Sequence, residues 1–181
     1  MGIIAGIAIP VTGGAFASQR FRNDAQAITN LVGLAKMRAS ANVTRARVRA
    51  NLSDGTVLLE RWDKTTSAWV VEQGPTPLSP GVTFSFGSVP TPPPDTQVSI
   101  VFSPACRVGV TAASATIGNT SCIIFNSRGL PVDGNGETFG GHALYLTDGV
   151  SVAAATVTAT PRIRRWSTPA RGGTPLWREQ Q

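Results

Sequence analysis

The sequence predicts an α+β protein in which one long N-terminal helix packs against an antiparallel β-sheet. Apolar residues recur at steps of three and four from Phe21 to Ala39, with polar residues between them, which is typical of an amphipathic helix. From Thr44 to Leu52 the pattern changes to strict alternation, which is typical of a half-buried strand. The chain has 19 glycines and 13 prolines, and downstream they separate short apolar runs, as turns separate strands.

The composition is typical of an exported, β-rich protein rather than of a cytosolic enzyme. The chain has 181 residues, which suits one domain with its own core. Hydrophobic residues make up 41% of the chain and charged residues only 14%. The net charge is +6, and 14 of the 16 basic residues are arginine. This balance favours polyanionic partners, either nucleic acid or anionic lipid.

The N-terminal part of the chain predicts a helix in two segments. The first ten residues, MGIIAGIAIP, are almost wholly apolar but too short to cross a bilayer, which takes about 20 apolar residues. Residues 18–40 predict the amphipathic segment. We expect both segments to form one long helix bent at Pro10, so that residues 1–41 make up the N-terminal element.

Residues 42–166 predict a β-rich globular head, and residues 167–181 have no period and predict a mobile tail. In the first strand Arg45, Arg47 and Arg49 alternate with apolar residues, so we expect a basic stripe on its outer, wet side. The stripe either extends a basic binding surface, faces partner subunits or is simply a solvated face. Strands are expected at residues 44–52, 56–62, 68–73, 82–86, 98–102, 121–126, 143–147 and 150–160.

The chain has two cysteines, Cys106 and Cys122, and a single histidine, His142. With so few ligand-type side chains, we expect no metal site to form from them. A disulfide between the cysteines would close a loop and stabilise the fold by about 3 kcal/mol, and two unpaired buried thiols are the alternative. We interpret His142 as an ordinary strand residue next to a turn.

No catalytic arrangement stands out, and we expect neither enzymatic activity nor a cofactor. A Ser/His/Asp triad would need His142, but the sequence has no G-x-S-x-G turn. In DGNGE, Asp133, Asn135 and Glu137 alternate and form a weak candidate Ca²⁺ site. A glycine-rich hairpin turn is the preferred interpretation of the same residues.

The stretch PRIRRW and the residues after it carry the strongest binding signal. Arg162 and Arg164 lie on the same side of a predicted strand. Arginine matches phosphate geometry, and Trp166 or Trp177 could add a stacking surface, so double-stranded DNA is one candidate ligand. A solvated edge strand, whose charges discourage sheet association, is the alternative. The full candidate set is Arg162, Arg164, Arg165, Arg171 and Arg178, against one acid, Glu179.

Several stretches resemble type IV pilins and pseudopilins. More narrowly, they resemble the minor-pilin family that includes the type II secretion pseudopilin H and the FimT-type minor pilins. The helical stretches that carry the resemblance are GIIAGIAIP (2–10) and LAKMRASANVTRARV (34–48). The C-terminal ones are IIFNSRGLP (123–131), LYLTDG (144–149) and TVTATPRIRRW (156–166).

The resemblance implies a minor pilin or pseudopilin with a structural role at or near a filament tip. It implies other pilins as partners through the N-terminal helix, and the bacterial inner membrane before assembly, with the head in the periplasm. The leader and mature glutamate of such proteins are absent, so residues 1–10 are interpreted as the second half of a longer helix. FimT-type minor pilins that bind DNA for uptake carry Gly-Arg-x-Arg. Pro161 replaces the glycine here, and Arg162 and Arg164 keep the Arg-x-Arg, so DNA capture is the alternative function.

Overall fold

A computed structural model of the chain describes residues 3–170 and 174–180, with side-chain surroundings from Phe16 onward. One helix, α1, runs without interruption over Ile3–Ala41, so the prediction of one continuous N-terminal helix is confirmed. Within the described residues, no helix holds an apolar stretch long enough to cross a membrane.

The helix ends in a tight turn that leads directly into the first strand. The amide of Asn42 donates to the Arg38 carbonyl at 3.0 Å, and the amide of Thr44 donates to the Ala39 carbonyl at 3.1 Å. These bonds satisfy carbonyls that the last helical turn would otherwise leave without a partner. Val43 occupies the left-handed position of this turn, with a φ of 47°.

In the described part of the chain nine strands follow the helix, and they form two antiparallel sheets rather than the single sheet expected. The first sheet has the order β3-β2-β1-β4-β5, and the second has the order β6-β7-β8-β9. The strands are β1 Ala46–Asn51, β2 Thr56–Asp63, β3 Ala68–Pro77, β4 Thr120–Phe125, β5 Pro131–Val132, β6 His142–Thr147, β7 Ser151–Val157, β8 Ile163–Pro169 and β9 Arg178–Gln180.

The main core lies where α1 crosses both sheets, so the α+β class is confirmed. The helix residues predicted at steps of three and four are all buried, from Phe21 to Ala39. They pack against the inner faces of β1 and β4, for example at Val48 and Ile123, and against Ala155 of β7. The apolar stripe of the helix therefore identified its buried face, because a 3.6-residue period maps directly onto one side of a helix.

A second, smaller core lies on the opposite face of the second sheet. Tyr145 and Trp166 are buried there against Phe86 and Phe102 from the long connection between β3 and β4. The strands predicted at 82–86 and 98–102 are wrong, because this connection has only an isolated bridge there, between Thr83 and Thr147. Its apolar residues cover a face of the second sheet without pairing as strands. Proline has no backbone N–H, so the five prolines between positions 90 and 104 cannot donate the hydrogen bonds that strand pairing needs.

Candidate functional site

The predicted Arg-x-Arg pair lies at the start of β8, beside β9. Arg162 is exposed over 62% of its side chain and Arg164 over 19%. Both approach the same carboxylate oxygen, since Glu179 Oε1 lies 3.9 Å from Arg162 Nη2 and 3.6 Å from Arg164 Nε. The structure thus brings the two arginines together, but places the charge of Glu179 between them. The register of β8 on β9 creates this arrangement, because Glu179 pairs with Trp166.

The remaining predicted arginines do not join this pair on one surface. Arg165 lies on the other face of β8, where its guanidinium donates to Gln26 Oε1 of α1. Arg178 is exposed on β9. Arg171 lies outside the described residues. The four predicted residues that the structure describes are therefore divided between two faces of the second sheet.

The tail contains regular structure where none was expected. Strand β8 continues past Trp166 to Pro169, and Arg178–Gln180 pairs with it as β9. The expectation of a tail without regular structure is therefore wrong for residues 167–169 and 178–180. Three residues are too few to show a period, so the sequence pattern could not reveal that β9 pairs with β8.

Neither tryptophan offers the open stacking surface that was expected. Trp166 is buried, and its indole donates to Thr156 Oγ1 at 3.0 Å. Trp177 is half-buried and donates to the Thr91 carbonyl at 2.9 Å, with its ring 6.4 Å from that of Tyr145. Both rings are therefore part of the second core, and Trp177 holds the end of the chain to the head.

The predicted basic stripe on β1 is not a wet surface, and this prediction is wrong for its central residue. Arg47 is only 1% exposed. Its Nε lies 2.5 Å from Glu60 Oε2, and its guanidinium stacks 4.0 Å from the centroid of Trp69. Arg49 reaches the other oxygen of Glu60 at 3.0 Å and is half-buried. Burial lowers the pKa of Arg47, and the charge of Glu60 opposes that shift.

The arginines of this region hold the loop between Cys106 and β4. Arg45 donates to the Val110 carbonyl at 2.5 Å, and Arg47 donates to the Arg107 carbonyl at 2.6 Å. Arg107 in turn donates to the carbonyl of Ser114 at 2.8 Å and to that of Ala112. The alternation correctly put these side chains on the outer face of the sheet, but this loop covers that face. Arg45 and Arg47 therefore hold this loop against the first sheet.

Cys106 and Cys122 form a disulfide, with their Cα atoms 5.0 Å apart. It links the start of the same loop to β4 and packs against Ile124 and Val132 in a small third core. The disulfide, Arg45 and Arg47 therefore all hold this loop to the first sheet.

The remaining candidate residues, those of DGNGE and His142, are engaged in hydrogen bonds or packing within the fold. Asp133 accepts hydrogen bonds from the amides of Asn135 and Glu137 at 2.8 and 2.9 Å, so DGNGE is a closed turn. No metal-ligating group of three residues occurs within 3–170 and 174–180. His142 is buried, with Nε2 3.1 Å from the Val132 carbonyl oxygen and its ring packed edge-on against Phe139. Burial lowers the pKa of His142 to about 4.

A cleft of about 560 Å³ lies between α1 and strands β7 to β9, and no sequence pattern singled it out. Arg22 of α1, Arg165 of β8 and Arg178 of β9 line it, together with Phe21 and Leu176. The helical period assigns Arg22 only to the polar face of α1. Its position in one cleft with Arg165 and Arg178, which lie more than a hundred residues later, depends on how α1 crosses the second sheet.

No family model matches this sequence, and no curated protein matches it either. Among solved structures, the chain is similar to the minor pseudopilin EpsH from the Type 2 Secretion System of Vibrio cholerae. The TM-score is 0.42 at 11% sequence identity, and the match covers 89% of this chain and 96% of that chain. At these values the likeness concerns the course of the chain and assigns no role to any residue.

Proposed function

We propose that this chain is a subunit of a pilin-type filament, either a secretion pseudopilus or a type IV pilus, with a structural role at or near the tip. The observation that carries the proposal is the division of α1 into two parts. From Phe21 to Ala39 the helix buries an apolar face on the head. The helix also includes residues 3–19, which contain no charged side chain, and Phe21 is the first buried residue among the side chains described.

The helix is long enough both to pack on the head and to provide an uncharged segment for contacts with other subunits. Its 39 residues correspond to about 58 Å, roughly twice the thickness of the hydrocarbon core of a bilayer. Burying the uncharged N-terminal part against equivalent helices would remove apolar surface from water, which is the dominant favourable contribution in association. The head would then face outward. Before assembly, the same segment would associate with the inner membrane and leave the head in the periplasm.

Incorporation into filaments tests this function. The Ile7→Asp variant places a charge in the uncharged segment, and the Asn23→Asp variant places the same charge on an exposed helix position outside that segment. We expect Ile7→Asp to be lost from the sheared filament fraction while Asn23→Asp is retained, with the unfolding of the head unchanged in both. Equal incorporation of both variants would contradict the proposal.

A second candidate function is the capture of double-stranded DNA, as in FimT-type minor pilins. The observation that favours it is the exposed side chain of Arg162 beside Arg164 at the rim of the second sheet. Such contacts would be made mainly to phosphate, so binding would depend strongly on salt and weakly on sequence. Glu179 opposes this function, because its carboxylate competes with phosphate for both arginines.

A further inference from the structure

The cleft between α1 and the second sheet, hereafter the cationic cleft, is lined by basic side chains. Arg22, Arg165 and Arg178 line it, and no aspartate or glutamate does so in the described part of the chain. The acid nearest in sequence on the same helix, Asp24, is engaged elsewhere, since it accepts hydrogen bonds from the amide and hydroxyl of Ser79 at 2.8 and 3.0 Å. The charged side chains that line the cleft are therefore all basic among the described residues.

Two of these arginines differ from the Arg-x-Arg pair in having no acidic partner. Arg22 and Arg178 are exposed, and no described carboxylate lies within 4.0 Å of either guanidinium. Arg162 and Arg164, in contrast, share Glu179. An anion that enters the cleft would therefore meet Arg22 and Arg178, which have no acidic partner among the described residues.

The walls of the cleft are not uniformly polar, and this restricts the class of ligand. Phe21 contributes to the lining, and Leu176 lies at the cleft with 69% of its surface exposed. Thr168 also lines it, and its buried hydroxyl has no hydrogen-bond partner among the described residues. A phosphate backbone would use only the charges. A peptide that carries carboxylates beside an apolar side chain would use the charges and the apolar wall together.

We propose that the cationic cleft binds an acidic peptide segment of another protein. Its carboxylates would pair with Arg22 and Arg178 on opposite walls, and an apolar side chain would pack between Phe21 and Leu176. The inference deepens the proposed function and rests on it for the source of the segment, which would be a neighbouring subunit. The volume of about 560 Å³ fits a few side chains.

Peptide titration of the purified 181-residue chain tests the inference. The probe is a fluorescein-labelled peptide of alternating leucine and glutamate, and its counterpart has glutamine in place of glutamate. We expect Arg22→Gln/Arg178→Gln to weaken binding of the acidic peptide by about tenfold or more. The matched pair Arg20→Gln/Arg128→Gln removes the same charge at exposed positions outside the cleft and should leave binding unchanged. Leu176→Ser should weaken binding without changing the charge.

Three results would overturn the inference: no binding of the acidic peptide, equal binding of the glutamine peptide, or an equal loss in the control pair. A short DNA duplex is titrated in parallel. If Arg22→Gln/Arg178→Gln abolishes DNA binding while the peptide never binds, the cleft is a nucleic-acid site and the peptide proposal is wrong. Loss of filament incorporation in Ile7→Asp is measured separately, so failure of the cleft and failure of the filament role give different results.

Discussion

The guanidinium of Arg47 lies 2.5 Å from the carboxylate of Glu60, and both side chains are buried. The pair sits on adjacent strands, because Arg47 of β1 lies directly opposite Glu60 of β2. Trp69 covers the guanidinium on one side, and the carbonyl of Arg107 accepts a further hydrogen bond from it. A residue that the sequence pattern assigned to solvent is thus the centre of a buried polar network.

Removing Glu60 should be far more costly than removing an exposed partner. Glu60→Ala leaves the buried charge of Arg47 without compensation, and we expect a loss of about 3–5 kcal/mol in the free energy of unfolding. The matched control is Glu72→Ala, which removes the partner of Arg61 in a half-exposed pair at 2.7 Å and should cost less than about 1 kcal/mol. Denaturant unfolding measures both, and equal losses would contradict the buried network.

The buried histidine should make stability depend on pH in a defined window. The pKa of His142 is about 4 in the folded chain, below its ordinary value of 6.5, because burial disfavours the charged ring. Between these values the unfolded chain binds the proton more readily, so the contribution of His142 is complete above pH 6.5 and is lost as the pH falls toward 4. The full effect is about 3 kcal/mol.

The variant His142→Gln provides the control, because it has no titrating ring. The free energy of unfolding of the wild type should fall from pH 6.5 to 4.5 relative to that of this variant. Parallel curves for the two proteins across this window would show that His142 does not titrate differently in the folded and unfolded chains.

The turn after α1 should become more stable when its left-handed residue is replaced by glycine. Val43 is β-branched, has a φ of 47° and is exposed, so its side chain brings backbone strain and little burial. We expect Val43→Gly to stabilise the protein by up to about 1 kcal/mol. Val108→Gly, at an exposed position without a positive φ, should be neutral or destabilising. Thermal unfolding distinguishes the two, and destabilisation by Val43→Gly would contradict the turn geometry.

DNA binding, if the chain performs it, should respond in opposite directions to changes on β8 and β9. Arg162→Ala/Arg164→Ala should weaken binding and reduce the slope of log K against log salt by about 2, since two phosphate contacts are lost. Glu179→Gln should strengthen binding, because it removes the carboxylate that both arginines approach. Arg20→Ala/Arg128→Ala is the matched control for total charge. A double variant that binds as tightly as the wild type would remove the Arg-x-Arg site.

The helix and the main strands could be predicted because their patterns are local. The apolar stripe from Phe21 to Ala39 and the alternation in β1 each depend on neighbours within one element. The failures at 82–86 and 98–102 have a different origin. There, apolar residues such as Phe86 and Phe102 pack on the face of the second sheet, and burial alone does not distinguish a covering loop from a strand.

The candidate site could be predicted only in part, because its properties depend on contacts between distant segments. Alternation placed Arg47 on the outer face of the sheet, but only the loop after Cys106 makes that face buried. Likewise, the sequence brought Arg162 and Arg164 together, whereas the pairing of β9 with β8 decides that Glu179 lies between them. Glu60 lies directly opposite Arg47 on the neighbouring strand, and this pairing is what brings the two charges together.

We proposed above that the uncharged part of α1 contacts the helices of other subunits, and photo-crosslinking in assembled filaments detects such contacts. A photoreactive amino acid would replace Ile7, and in a second variant it would replace Thr65 in the exposed turn between β2 and β3. We expect crosslinks from position 7 to the N-terminal helices of other pilins, and none to those helices from position 65. Crosslinks to those helices from position 65 alone, or from neither position, would contradict the account.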